Sequence, residues 1–156
     1  MPSPRRPRTA ATAADRAVSA ARRHCAEADA QLTPLRERVL RLLLTHGGPA
    51  RAYELLTQMQ TEQPGTAPMT VYRALDFLVE QGLAHKIDST SSFVACIHGH
   101  HGPQAPAFVV CERCGDTREA DAAAIGRPLG DVLGDFAPHS IEIKGVCGRC
   151  SGASAR

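Results

Sequence analysis

Two cysteine pairs constrain this chain more than any other feature. Cys111-x2-Cys114 and Cys147-x2-Cys150 each put two thiols on one turn. Two intervening residues let both sulfurs face one tetrahedral ion, and two such turns complete a four-thiolate zinc site. Any fold must therefore bring residues 111–114 against residues 147–150. The 32 residues between the pairs exceed the roughly 15–20 of a compact zinc ribbon. They leave room for a strand, a helix and a returning strand. The rival is a redox Cys-x-x-Cys, but that chemistry sits at a helix start in a thioredoxin-like pattern and needs only one pair.

A chain of 156 residues suffices for one mid-sized domain or two small ones. Hydrophobic content of 43% with 22% charged residues reads as soluble and globular. No apolar run approaches the ~20 residues of a membrane span. The N-terminal stretch is basic but lacks an apolar core, so it does not read as a secretory signal. The cytoplasm is the expected compartment, where paired cysteines more often hold metal than form disulfides. Residues 1–97 carry 12 Lys+Arg against 9 Asp+Glu, and residues 98–156 carry 6 against 7. A nucleic-acid surface is therefore expected in the front half.

Residues 1–8 are Pro/Arg-rich and are expected to be a disordered tail. A helix is expected from about Thr12 to Ala30. Thr33-Pro34 is a helix start, with Leu35, Val39, Leu42 and Leu43 on one face and Gly47-Gly48 as the stop. Ala50 to Gln60 fits a third helix, with Ala52, Leu55, Leu56 and Met59 inward. A fourth runs from Pro68 to Gln81, with Val71, Leu75, Leu78 and Val79 as its apolar stripe and Gly82 as its stop. "LAHKID" and "SFVAC" read as a β-hairpin. Short helices followed by a hairpin make a winged helix-turn-helix. The back half alternates "AFVVC", "GDTREA", a helix near Asp121 to Leu133, and "HSIEIKGVC". The expected class is α+β: a winged helix-turn-helix over 9–96, a hinge loop over 97–106, and a small α/β domain with the four-cysteine site over 107–156.

The segment "CIHGHHG", Cys96 to Gly102, adds a second kind of metal chemistry. A four-thiolate site is closed and binds too tightly to follow changing metal levels, whereas a sensor needs a weaker, mixed set. Cys96 offers a thiolate, and His98, His100 and His101 offer imidazoles. His85 on the other hairpin strand can come close, and Glu119 can add a carboxylate. Such a mixed set suits zinc, and the thiolate disfavours magnesium or manganese. An exposed histidine-rich loop with incidental metal affinity is the alternative. A catalytic zinc would want a partnered acid or base, yet no His-Glu-x-x-His motif or nucleophile elbow occurs. No catalytic residue is nominated, and an enzyme is not expected.

The segments "LTPLRERVL", "AYELL", "TVYRALDFLVEQGLAHKIDST", "FVAC", "FVVCERCG" and "GVCGRC" carry a family resemblance. From about Cys25 to Cys150 the chain resembles the ferric uptake regulator family of bacterial metal-dependent repressors, most closely its zinc uptake regulator branch. A His-Lys strand followed by a cysteine ending the next strand looks like the zinc branch. The resemblance implies a homodimer that binds a palindromic double-stranded DNA operator when zinc is plentiful and silences zinc-uptake genes. It implies two zinc ions per subunit, one structural and one regulatory. Neither a membrane nor a small-molecule substrate is expected as a partner. A sibling sensor of iron, manganese or peroxide, a zinc-stapled thiol redox protein and a zinc-stapled protein-interaction module are the rivals.

By the same resemblance Cys111, Cys114, Cys147 and Cys150 hold the structural zinc. His85, Cys96 and Glu119 align with three of the four regulatory ligands. The family's fourth ligand is a histidine seven residues before the first paired cysteine, where this chain has Gln104. His101 is the preferred substitute, with His100 next. His139 matches a ligand of a further site in some relatives, but the acidic partner position is Gly126, so that site is expected to be absent. Tyr53 and Arg73 match DNA contacts. From the residues themselves, Arg73 suits bidentate pairing with guanine, and Tyr72 and Thr70 suit phosphate or a thymine methyl. Arg36, Arg51 and Lys86 are expected at phosphates.

Overall fold

The computed structural model describes residues 8–96 and 105–152, with the side chains of 8–12 and 126–128 outside the description. These residues form two compact units, one of 8–86 with 92–96 and the other of 87–91 with 105–152.

The first unit contains α1 (Arg8–Glu27), α2 (Pro34–His46), β1 (Ala50–Arg51), α3 (Ala52–Glu62), α4 (Pro68–Glu80), β2 (Ala84–Ile87) up to Lys86, and β3 (Ser92–Ala95). α1 begins four residues before the expected Thr12 and ends three before Ala30. Asp29 takes a left-handed φ of 52°, and the Ala30 N–H bonds back to the Cys25 carbonyl, which ends the helix. Thr33 caps α2, accepting the Arg36 N–H at 3.4 Å, and Pro34 opens its first turn. Gly47 closes the helix at φ 79°, a conformation open to glycine at little cost. Gly82 does the same after α4 at φ 66°, and the Leu83 N–H then reaches the Leu78 carbonyl at 2.7 Å, the six-to-one bond of a Schellman stop.

α4 buries Val71, Ala74, Leu75, Phe77 and Leu78. Val79, expected in the stripe, is instead 36% exposed. At 100° per residue it rotates past the edge of the face centred on Leu75 and Leu78. Leu55, Leu75, Leu78, Val39, Val71 and Val18 are fully buried in one core with Cys25. Burial pushes the Cys25 thiol up despite Arg36, so this cysteine is an uncharged core residue. Leu75→Ala is expected to destabilise the unit by about 2–5 kcal/mol, because a closed core relaxes poorly around a cavity. Chemical denaturation that returned a loss below about 1 kcal/mol would contradict the packing.

The wing sheet has strand order β1-β3-β2, with Ala50 opposite Phe93 and Arg51 opposite Ser92. β1 was not expected. Two residues carry no periodicity, and the pairing of Ala50 with Phe93 is a tertiary event.

The second unit contains β4 (Ala107–Cys111), β5 (Thr117–Ala120), α5 (Ala122–Leu133), β6 (Ile141–Gly145) and α6 (Gly148–Ser151). β4 is the centre of the sheet, antiparallel to β5 and parallel to β6. A parallel partner needs a crossover, which α5 supplies. Asp121 caps α5 through its carboxylate to the Ala123 N–H at 2.9 Å. Parallel pairing sets Cys111 beside Gly145, so the chain leaving β6 turns directly onto the first cysteine pair.

Candidate metal centre and nucleic-acid face

The β4–β5 turn carries Cys111 and Cys114, and the start of α6 carries Cys147 and Cys150. All four sulfurs lie within 4.8 Å of one another. Cys114 Sγ and Cys147 Sγ are 3.8 Å apart. Tetrahedral zinc at about 2.3 Å from each sulfur requires sulfur–sulfur edges of about 3.8 Å, so the residues fit the ion.

The electrostatics agree. The Cys147 N–H points at Cys111 Sγ at 3.3 Å. With the Cys114 and Arg113 N–H groups it draws the Cys111 thiol down to about 6. The Cys150 N–H lowers Cys147 in the same way. Cys150 goes up to about 12, because it shares hydrogen bonds with the Cys114 and Cys147 sulfurs. Backbone N–H groups thus prepare the site for thiolates, while neighbouring sulfurs oppose the last ionisation. A divalent cation removes that conflict. Among the described residues this is the one set of three or more potential ligands gathered so closely.

The mixed-ligand residues stand as follows. The Cys96 N–H donates to the Leu83 carbonyl at 3.0 Å. That bond sets Cys96 opposite Leu83 and, counting inward, Val94 opposite His85. Directly opposed residues share a face, so His85 and Cys96 lie on the same face of the hairpin, diagonally placed in pairs two positions apart. Both are half-buried. Glu119 is on β5 opposite Phe108 and is exposed. His101 lies outside the described residues, as do His98, His100 and Gln104. His139 is exposed before β6, and Gly126 lies in α5.

The proposed DNA residues cluster on the first unit. Tyr72 is 44% and Tyr53 57% exposed, so both rings and hydroxyls are open to solvent and to a partner. Arg73 is exposed beside Tyr72, and Thr70 is half-buried one turn earlier. Arg51 precedes α3, its N–H bonded to the Glu54 carboxylate at 2.7 Å, and leaves its side chain exposed. Lys86 is exposed on β2. Arg36 also makes contacts within the unit. Its guanidinium stands 3.8 Å above the Phe77 ring and donates to the Gln31 carbonyl at 2.7 Å. Sequence gave no sign of this stack, because nothing in it says that Phe77 meets the start of α2.

A family model for the ferric uptake regulator family matches residues 27–144. The zinc uptake regulation protein of Escherichia coli (strain K12) is 38% identical over 137 residues, spanning 85% of this chain and 80% of that protein. A structure of a zinc uptake regulator complexed with zinc and DNA superposes with a TM-score of 0.75 at 35% identity, over 92% of this chain and 98% of that one. The holo form of XcZur superposes with a TM-score of 0.66 at 38% identity, over 86% and 96% of the two chains. With the family matched over most of its length and the four thiols gathered in space, the chain belongs to the ferric uptake regulator family.

Proposed function

We propose that this protein is a zinc-responsive transcriptional repressor that binds palindromic operators of zinc-uptake genes when zinc is plentiful. The observation that carries it is the likeness, at 35% identity over 92% of the chain, to a zinc uptake regulator complexed with zinc and DNA. The exposed Tyr72–Arg73 face of α4 is what such a function needs. The protein acts as a homodimer, matching the symmetry of a palindrome. Val109, Ile143 and Val146 in the second unit are more than 40% exposed and form the apolar surface a dimer would cover.

Each subunit takes two zinc ions in this proposal. The four thiolates hold the structural one. His85, Cys96, Glu119 and His101 hold the regulatory one, which contributes a charge centre that ties its ligands together. Reciprocity then links the two events: if zinc favours the DNA-competent state, DNA raises zinc affinity by the same factor.

Arg73 reads a base, while Thr70, Tyr72, Tyr53, Arg51 and Lys86 fix position on sugar and phosphate. Arg36 meets phosphate in this proposal while its stack on Phe77 holds α2 against α4. Arg73→Ala is expected to cost about 1–3 kcal/mol, roughly 5- to 150-fold in operator affinity, and to relax sequence preference. Lys86→Ala should weaken all duplexes alike and lower the salt slope by about 1. The test is fluorescence anisotropy on DNA from a zinc-uptake promoter with free zinc buffered from scarce to plentiful. Binding only at high zinc is the expected result. Equal binding throughout would end the zinc-responsive reading, and no binding at any level would end the repressor reading.

A further inference from the structure

The intervening residues of the two cysteine turns are not spectators. Arg113 sits between Cys111 and Cys114, and its Nη1 donates to the carbonyl of Cys150 at 2.7 Å. Arg149 sits between Cys147 and Cys150, and its Nη2 donates to Asp116 Oδ2 at 3.2 Å. Asp116 belongs to the first turn, because its carbonyl accepts the Cys111 N–H at 2.8 Å. Each turn thus sends an arginine across to the other. Arg118 also reaches Asp116, at 3.1 Å, but from the same hairpin, so it bridges nothing.

We propose that Arg113 and Arg149 are positioning residues, a reciprocal clasp that joins the two cysteine turns and sets how firmly the four-thiolate centre keeps its zinc. This rests on the zinc reading of those thiolates and goes beyond it. Four thiolates around a divalent cation leave a net charge of about −2, which two guanidiniums beside the site offset. The Arg149 side chain is 75% exposed, so water screens its pair with Asp116. The larger share of the effect is geometric. For zinc to leave, one turn must swing away from the other, and both crossing bonds resist that swing. Groups that orient ligands without touching the metal typically change its affinity by about 10- to 100-fold.

The experiment is zinc transfer from the full-length protein to a chromogenic chelator, after brief EDTA treatment has removed labile metal. Arg113→Gln and Arg149→Gln are each expected to speed transfer about tenfold. Arg113→Lys, which keeps charge and a donor, should recover much of the wild-type rate. Arg118→Gln should leave the rate unchanged, which separates the clasp from general loss of surface charge. Rates for both Gln variants within about twofold of wild type would overturn the clasp, as would an equal effect of Arg118→Gln. Should either Gln variant not be recovered folded, Asp116→Asn decides, because it removes the acceptor of the Arg149 bond. Faster transfer from Asp116→Asn supports the clasp, and a wild-type rate refutes it. Wild-type protein isolated with no chelator-resistant zinc would be a different failure, that of the zinc reading itself.

Discussion

Cys96→Ser is expected to abolish zinc-dependent operator binding, weakening it by about 100-fold at plentiful zinc, while the purified protein still carries one zinc per chain. A thiolate is the soft ligand of the proposed regulatory set, and a serine hydroxyl stays protonated near neutral pH and binds zinc poorly. The substitution is nearly isosteric and Cys96 is only half-buried, so the fold has little reason to change. The register set by the bond from the Cys96 N–H to the Leu83 carbonyl is a backbone feature and survives. Anisotropy across buffered zinc, paired with zinc analysis of the same sample, reads both halves of the prediction. Zinc-dependent binding that persists in Cys96→Ser would remove Cys96 from the regulatory set.

Cys147→Ser should behave oppositely: it loses the tightly held zinc and with it the second unit. Structural zinc in small sites contributes roughly 10–16 kcal/mol of apparent binding free energy at neutral pH. That equals or exceeds the roughly 5–15 kcal/mol that keeps a whole domain folded. Apart from Ile87, Ala107, Phe108, Val110 and Cys111, the described residues of this unit are half-buried or exposed, so little apolar burial remains to substitute for the metal. Amide exchange is expected to rise through β4 and β6, sedimentation to show loss of the dimer, and operator binding to fail at every zinc level. The core around Leu55 and Leu75 has its own buried cluster and should keep its helical signal. A Cys147→Ser protein that remained dimeric with native exchange in β4 would show that the four thiolates are dispensable to the fold.

Much of the first unit was legible because its signals are local. Thr33-Pro34, Gly47 and Gly82 mark helix ends by backbone chemistry that neighbours a few residues away complete. Periodicity marked α2, α3 and α4. It misjudged Val79, where one residue of helical rotation separates core from water. The start of α1 was misplaced because an alanine-rich run with no cap gives no boundary signal.

Sequence by itself pointed to one four-cysteine cluster, because each pair can turn two sulfurs towards one ion and two such turns complete a tetrahedral set, and the four sulfurs are gathered accordingly. It also determined the helix order and the hairpin that carries His85. Only the tertiary structure decided the parallel pairing of β4 with β6, which delivers Cys147 to Cys111. The same holds for the two-residue strand β1, the Arg36 stack on Phe77, and the crossing of Arg113 and Arg149. Each joins residues far apart in the chain through contacts whose energy exists only once both partners are in place. Arginine, phenylalanine and aspartate are common enough that their presence announces none of these pairings.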